Sequence, residues 1–348
     1  MDIHESRRSF IKYWSASAAA LGMGSVLGCV PANQGATPAE GQAPATPGAA
    51  PAKKFRAAFS NAGLQSTWCT HGMDTAKWWG EKLGIEVVVY DSQFNIDKQR
   101  QDIEDMATKQ WDFIAIQAYG IKTLEEPVKR LIDKGIPVID FDTRIVPEGE
   151  DIGLWTFISP DHEWLAGQVT EAIVKQIGGK GKIVHTQGAL AHSGAQLRGK
   201  GFRDVISKYP EIEVIDEQPA DWDINKVGRI WDDLLVKFPQ IDAAFFHNDD
   251  MAMAAVQAVR RTGADRKIVI GSIDAQEQGL NGVLNGDIIA SGMNSAGRIH
   301  WTALMIGYFA CALGQKKSDV PPFMLIDNPI VTKETATGYK YLMQNMLL

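Results

Sequence analysis

Short runs of β-branched and aromatic residues alternate with stretches of helical apolar spacing from Lys53 to near residue 313. A first set of predicted strands lies at 55–59, 85–90, 113–116 and 137–140, separated by helices at 73–83, 95–109 and 123–134. A second set has strands at 182–185, 213–215, 242–246, 267–270 and 288–290, with helices at 161–177, 195–208, 224–238, 250–262 and 297–313. Such alternation predicts parallel sheets, and the restart near 150–160 predicts two doubly wound α/β lobes.

Polar side chains follow the predicted strands. In parallel α/β sheets a ligand binds outside the carboxyl ends of the strands, and two facing lobes can close on it. These positions carry amides, carboxylates and tryptophans: Trp68, Gln117, Asp142, Trp222, Asn248, Asp274 and Asn294. Carboxylates accept from pairs of hydroxyl groups, amides both donate and accept, and a tryptophan ring covers the C–H face of a sugar. The set predicts a binding site for a small polyhydroxylated molecule and no catalytic centre.

Structural roles compete with ligand contact at these positions. Asp142, Asp274 and Asn248 could cap helices, since Asp and Asn often do so after a strand. Trp68 and Trp222 could pack in the core.

Composition narrows the class of partner. The 348 residues carry a formal net charge of -7 and are 45% hydrophobic and 22% charged, which suits a globular protein of one large or two medium domains. An acidic chain lacks the basic face that nucleic acid requires, so no nucleic-acid partner is expected. Three cysteines, Cys29, Cys69 and Cys311, are too few for a disulfide framework.

The N-terminus resembles a twin-arginine export signal, with Arg7 and Arg8 as the pair. The mildly apolar stretch that follows, about 16–27, is too short for a membrane-spanning helix. It ends in Val-Leu-Gly before Cys29, which resembles a lipobox with an acylated cysteine. Residues 1–29 are therefore predicted to be a signal peptide and lipobox, with an uncleaved anchor as the alternative.

Residues 30–54 are rich in Pro, Ala, Gly and Thr and nearly free of charge until the lysines at the end. Such a stretch cannot bury apolar surface, so it is predicted to be a flexible tether. The order of signal, acylated cysteine, tether and globular body predicts an exported protein anchored by lipid on the outer face of the cytoplasmic membrane.

Five motifs occur at the predicted strand ends. They are Gly135-Ile136-Pro137-Val138 running to Asp142, Arg198-Gly199-Lys200-Gly201-Phe202, Gln218-Pro219-Ala220-Asp221-Trp222, His247-Asn248-Asp249-Asp250-Met251-Ala252 and Ile270-Gly271-Ser272-Ile273-Asp274. In this order they make the body, from about residue 55 to the end, similar to the type I periplasmic binding proteins of the ribose-binding class. The resemblance implies two Rossmann-like lobes joined by a three-stranded hinge. It places 55–157 plus 295–323 in an N-lobe and 158–294 plus 324–348 in a C-lobe.

The resemblance also implies a set of ligand contacts: Ser66, Trp68, Gln117, Asp142, Thr143, Gln196, Trp222, Asn248, Asp274 and Asn294. Trp68 and Trp222 would stack on the sugar ring, and Asp142 and Asp274 would accept from pairs of hydroxyls. A bound ligand would shift the population to a closed form, which docks on the permease and ATPase subunits of an ABC importer.

Three positions depart from the ribose-binding pattern. Thr143 and Gln196 stand where arginines are common, and Cys69 replaces a second stacking aromatic. The resemblance therefore does not predict ribose itself as the ligand of this chain. The expected ligand is a monosaccharide or sugar alcohol.

Other functions stay open on sequence grounds. A sensory binder of a sugar-like, autoinducer-type signal for a chemoreceptor or kinase would carry the same features. An exported carbohydrate-active enzyme is disfavoured, because no Gly-x-Ser-x-Gly elbow or His-Glu-x-x-His motif occurs. A regulator of the lac repressor type shares the body fold but needs an N-terminal helix-turn-helix, where this chain has an export signal. The expectation is a monomeric binding protein without enzymatic activity, metal or cofactor.

Overall fold

The computed structural model describes residues 54–263 and 266–348. The predicted signal peptide, lipobox and almost all of the tether, with Arg7, Arg8 and Cys29, lie outside the described residues.

Two six-stranded sheets form the described part of the body. The first, in the order β11-β5-β4-β3-β1-β2, contains β1 (Phe55–Asn61), β2 (Ile85–Asp91), β3 (Phe113–Ile116), β4 (Val138–Phe141), β5 (Phe157–Ser159) and β11 (Phe323–Leu325). The second, in the order β12-β10-β9-β8-β6-β7, contains β6 (Gly181–Gln187), β7 (Ile212–Pro219), β8 (Ala243–Phe246), β9 (Val269–Ile273), β10 (Ala290–Gly292) and β12 (Ile330–Val331). Paired strands run parallel, except for the antiparallel pair β10 and β12.

Helices connect the strands of each sheet. Those of the first lobe are α1 (Thr67–Leu83), α2 (Ile96–Met106), α3 (Glu125–Asp133) and α9 (Ala296–Leu313). Those of the second lobe are α4 (His162–Gln176), α5 (Ser193–Ile206), α6 (Ile224–Lys237), α7 (Asp249–Arg261), α8 (Glu277–Asn285) and α10 (Ala336–Gln344). A short 3-10 helix at Lys317–Asp319 precedes β11.

Successive side chains of the central strands point to opposite faces of the sheet, so each sheet has an apolar core layer on both faces. In β3, Phe113 and Ala115 join the apolar cluster on one face, whereas Ile114 and Ile116 join the cluster on the other. All four side chains are inaccessible to solvent. A strand whose side chains are buried on both faces reads as a continuous apolar run, which is typical of parallel sheets.

In the part of the chain that the structure describes, six helices begin at a residue whose side chain accepts a backbone N–H of the first turn: Asn95, Asp161, His192, Asp223, Asn248 and Ser295. Helix α1 lacks this feature, because the side chain of Ser66 makes no capping hydrogen bond. The N–H groups of its first turn must find other acceptors.

The chain passes between the two sheets three times within the described residues: after β5, after β10, and between β11 and β12. This confirms the predicted fold class of two doubly wound lobes with three connections. The predicted boundaries at 157/158 and 323/324 fall inside β5 and β11, and the passages follow those strands. The four lobe segments stay predictions of which residues move together.

Candidate functional site

A pocket lies between the lobes, at the carboxyl ends of strands from both sheets. Its space amounts to about 360 Å³ when the part that is open to solvent is included. The lining residues are Ala62, Ser66, Trp68, Cys69, Phe94, Gln117, Asp142, His192, Arg198, Trp222, Asn248, Asp274 and Asn294. Eight of the ten predicted contacts are thus brought together, and Thr143 and Gln196 are not among the lining residues.

Asp142 follows β4 and lies at the centre of the N-lobe wall. Its backbone has a φ of +59°, a conformation that costs free energy for residues other than glycine. One carboxylate oxygen accepts from Gln117 Nε2 at 2.8 Å, and the other accepts from Asn294 Nδ2 at 2.9 Å. The strained turn therefore aims the carboxylate into the pocket, where two amides hold it.

Charge and burial oppose each other at Asp142. Burial raises its pKa, but the His162 and His192 rings in their charged form, Arg198 and the Gln117 amide lower it, so the pKa lies below its usual range. Burial lowers the pKa of His162 to about 3 and that of His192 to about 4, so both rings are neutral at pH 7. Arg198 is then the cation that stabilises the ionised carboxylate.

Asp274 follows β9 on the C-lobe side and also has a positive φ, +108°. Its Oδ1 accepts from Arg198 Nη2 at 3.3 Å and from Asn294 Nδ2 at 3.4 Å. Burial raises the pKa of Asp274, Arg198 lowers it, and the charges of Asp249 and Asp142 raise it further. The pocket thus holds two carboxylates beside one guanidinium.

Asn294 lies on the passage after β10 and joins the two halves of the site. Its Nδ2 group bridges Asp142 and Asp274, and its backbone carbonyl accepts from Trp68 Nε1 at 2.7 Å. Its Oδ1 is buried and has no hydrogen-bond partner within the described residues. An unsatisfied buried acceptor costs about 1–3 kcal/mol, so a donor from a ligand would be well placed here.

The two predicted stacking residues come from different lobes. Trp68, on the first turn of α1, packs against His300 with ring centroids 5.1 Å apart. Trp222, after β7, has a φ of +64° and meets the edge of His192 at 5.2 Å. Trp222 also lies directly over Gly188, where an added Cβ would come within 2.1 Å of the indole ring. Both indoles are fixed in place and line the pocket.

Asn248 and Ser66 complete the set of predicted residues that the pocket brings together. Asn248 Oδ1 accepts from Met251 N at 2.9 Å and so caps α7. Its amide group remains available to the pocket, so capping and ligand contact coexist at this position. Ser66 precedes α1 and lines the pocket without capping that helix.

The two remaining predicted residues lie elsewhere. Thr143 is buried behind the pocket, and its hydroxyl lies 2.5 Å from His192 Nε2. Gln196 is exposed, and its Nε2 donates to Leu190 O at 2.9 Å. Helical periodicity explains the second case, because the buried face of α5 carries Ala195 and Arg198, which turns Gln196 towards solvent.

Sequence reasoning missed several lining residues. Arg198 was recognised as part of a motif but not as a lining residue, and His192, Phe94 and Cys69 were not predicted. His192 caps α5 and Phe94 has a φ of +53° in the loop after β2. No disulfide joins Cys69 to Cys311. A search of loop residues before each predicted helix would have found His192.

The buried imidazole of His300, beneath Trp68, predicts a pH-dependent stability. Burial lowers its pKa to about 4, below the ordinary value of 6.5. Between these values the unfolded chain binds a proton that the folded chain does not, so this contribution is lost as pH falls from 6.5 to 4. A shift of this size corresponds to about 3 kcal/mol.

We therefore expect the stability difference between the wild type and His300→Gln to shrink over this pH range, as measured by urea unfolding. Other titrating groups, including Asp249 with its pKa of about 7, cancel in the comparison. A difference that stays constant with pH would contradict the assignment.

Within residues 54–263 and 266–348, no helix is long and apolar enough to cross a membrane. The same residues contain no cluster of three or more His, Cys, Asp or Glu side chains able to hold a metal ion.

Comparison with known proteins agrees with this architecture. A family model described as a periplasmic binding protein domain matches residues 57–316. A xylitol-binding protein of Mycolicibacterium smegmatis is 28% identical over 270 residues, which cover 77% of this chain and 75% of that protein. The ribose import binding protein of Escherichia coli (strain K12) is 30% identical over 219 residues, which cover 63% of this chain and 72% of that protein.

A crystal structure of a galactofuranose binding protein has the same fold. It aligns with a TM-score of 0.77 at 24% identity, covering 84% of this chain and 100% of that one. The chain therefore belongs to the periplasmic binding protein family and has the type I fold of its sugar-binding class, as the sequence resemblance predicts.

Proposed function

We propose that this protein captures a neutral monosaccharide or sugar alcohol outside the cytoplasm and delivers it to an ABC importer. The relatives named above support the class of ligand, since their names specify xylitol and ribose. In this proposal the eight lining residues predicted from sequence contact the ligand, while Thr143 supports His192 from behind the pocket. The lipid anchor at Cys29 would keep the protein near the permease.

The observation that carries the proposal is the amide of Asn294. It lies between two buried carboxylates and presents an acceptor that no group of the described protein satisfies. A polyol supplies hydroxyls that donate to carboxylates and to this oxygen and accept from Asn248 or Arg198. Charge-assisted hydrogen bonds of this kind are about twice as strong as neutral ones.

The pocket's charge indicates a neutral ligand. Asp142 faces one guanidinium in the lining, and the pKa of Asp274 is raised well above its usual range because burial disfavours its charge, so an acidic sugar would add negative charge where a second carboxylate is already unfavourable. A neutral polyol avoids this cost. Sugar acids are therefore the natural negative controls.

A thermal-shift screen against pentoses, hexoses, polyols and inositols tests the proposal. A ligand at 100 times its Kd adds about 2.7 kcal/mol to stability, so one neutral compound should raise Tm by about 5 °C. D-gluconate should leave Tm unchanged where sorbitol or glucose is bound. No shift across the panel would contradict the proposal and favour a different signal molecule, and turnover of a bound sugar would favour an enzyme.

A further inference from the structure

The first turn of α1 is capped from the opposite lobe. Thr67 N donates to Asp250 Oδ2 at 3.0 Å, and Thr67 Oγ1 donates to Asp250 Oδ1 at 2.9 Å. Gln278 Nε2, from α8, donates to Thr67 Oγ1 at 2.6 Å and also to Asp250 Oδ1. Asp250 therefore supplies the carboxylate that a local N-cap residue would ordinarily provide.

The charge of Asp250 suits this position. A helix N-terminus carries a partial positive charge, so a carboxylate is favourable there. Burial raises the pKa of Asp250, and the donors of Thr67, Gln278 and Ser66 lower it. The acids Asp249 and Asp274 lie on the same side, and the pKa of Asp250 is raised on balance, so these donors offset only part of an unfavourable burial of charge.

The contact joins two turns that also line the pocket. The first turn of α1 carries Trp68 and Cys69, and α7, which contains Asp250, begins directly after Asn248. The two partners are 183 residues apart in sequence and belong to different lobes. The hydrogen bonds can therefore form only when the lobes are together, and they fix α1 in the orientation that places Trp68.

We propose that Thr67, Asp250 and Gln278 form an interlobe clasp that stabilises the closed form and positions the first turn of α1 in the pocket. The clasp acts through the open–closed equilibrium, because contacts made in only one state shift the population towards it. This inference rests on the proposed function, because both of its readouts use the closed, ligand-bound form.

Affinity measurements test the clasp. Thr67→Val removes one donor without changing side-chain size, and Asp250→Ala removes the cap. Each should weaken the binding of xylitol or D-ribose by about 3- to 10-fold, the range expected for loss of a helix cap. The double variant should weaken binding by less than the product of the two, since both changes remove the same contact.

Matched controls separate the clasp from general effects. Thr70→Val removes a hydroxyl one turn along the same helix, where Thr70 Oγ1 donates to Leu64 O within the N-lobe. Asp232→Ala removes an exposed carboxylate of α6 that pairs with Arg261. Both controls should bind within twofold of the wild type by isothermal titration calorimetry.

A second readout uses the closed form, which predominates when the protein is saturated with the compound that gives the largest thermal shift. Hydrogen exchange of the peptide around Thr67 to Thr70 should be at least threefold faster in Asp250→Ala than in the wild type, because Thr67 N loses its acceptor. If xylitol and D-ribose both fail to bind the wild type, the choice of ligand is wrong, and the exchange comparison still decides the clasp. Unchanged exchange, or clasp variants that bind as tightly as the controls, would overturn it.

Discussion

Replacing Arg198 with methionine is expected to lower the free energy of unfolding by about 3–5 kcal/mol and to abolish ligand binding. Arg198 is almost fully buried. Its guanidinium donates to His247 O, to Asp274 Oδ1 at 3.3 Å and to His162 Nδ1 at 3.3 Å. Removing it leaves the Asp274 carboxylate buried without its cation, which is far more costly than losing an exposed ion pair. Unfolding in guanidinium chloride, followed by circular dichroism, measures the loss in free energy of unfolding.

The control lies on the same helix. Arg203 is exposed and pairs with Glu217 at 2.7 Å, so Arg203→Met should cost no more than about 1 kcal/mol. Equal losses in the two variants, or a loss below 1 kcal/mol for Arg198→Met, would show that the buried pair does not organise the C-lobe. The pair Arg198→Met and Arg198→Lys further distinguishes loss of charge from loss of the planar group.

Replacing Asp274 with alanine is expected to weaken ligand binding by about 100-fold or more. The carboxylate would accept from two hydroxyls, and hydrogen bonds to a charged group contribute about 1.5–3 kcal/mol each. Its φ of +108° holds the side chain in the pocket. Isothermal titration with the compound that gives the largest thermal shift measures the change in Kd.

Gln196→Ala is the matched control for this prediction. The resemblance implied a ligand contact for Gln196, but the structure places it outside the pocket, bonded to Leu190 O. Its removal should change Kd by less than twofold. Should Gln196→Ala weaken binding as strongly as Asp274→Ala, the pocket described here would not be the ligand site. Asp274→Gly, which accepts the positive φ without strain, shows whether backbone strain contributes.

Local signals predicted many element positions well. Strand β3 has its predicted bounds, and α6 begins at the predicted residue, Ile224. In the second case Asp223 accepts from Asn225 N and Lys226 N, so the start of the helix is determined by residues adjacent in sequence.

Helix α1 shows why some bounds could not be predicted. It was expected to begin at residue 73 and begins at Thr67. Ser66 does not cap it, and the acceptor that satisfies Thr67 is Asp250 in the other lobe. No window of neighbouring residues contains that partner.

Helix α8 was missed for a different reason. Its sequence contains Gly279 and Gly282, which lower helix propensity. A Cβ at Gly279 would lie 2.1 Å from Asp249 Oδ2, and one at Gly282 would lie 3.0 Å from Met253 and Ile288. Tertiary packing therefore requires glycine at these two positions, and it is these glycines whose low helix propensity argues against a helix in the sequence. The short strand β12 was also missed, because its two residues carry no periodicity.

The residues of the candidate site also fall into those that local sequence signals predict and those that depend on tertiary structure. Residues directly after strands, such as Asp142 and Asp274, could be predicted because the edge of a parallel sheet is a fixed location. His192 and Arg198 reach the pocket from the start of α5, and Gln196 between them does not. Which of these side chains points inward depends on the rotation of the helix, which the strand pattern does not determine.

The location of Asn294 has a mechanical consequence. It lies on a passage between the sheets. If the lobes swing apart about these passages, as we propose, Asn294 is near the rotation axis, where atoms travel least. A ligand hydroxyl that is hydrogen-bonded to Asn294 would keep that bond while ligand contacts farther from the axis separate. The ligand would then lose its contacts at the rim of the pocket first and its hydrogen bond to the Asn294 amide last. The strength of that bond would therefore set the lifetime of the last partly bound state.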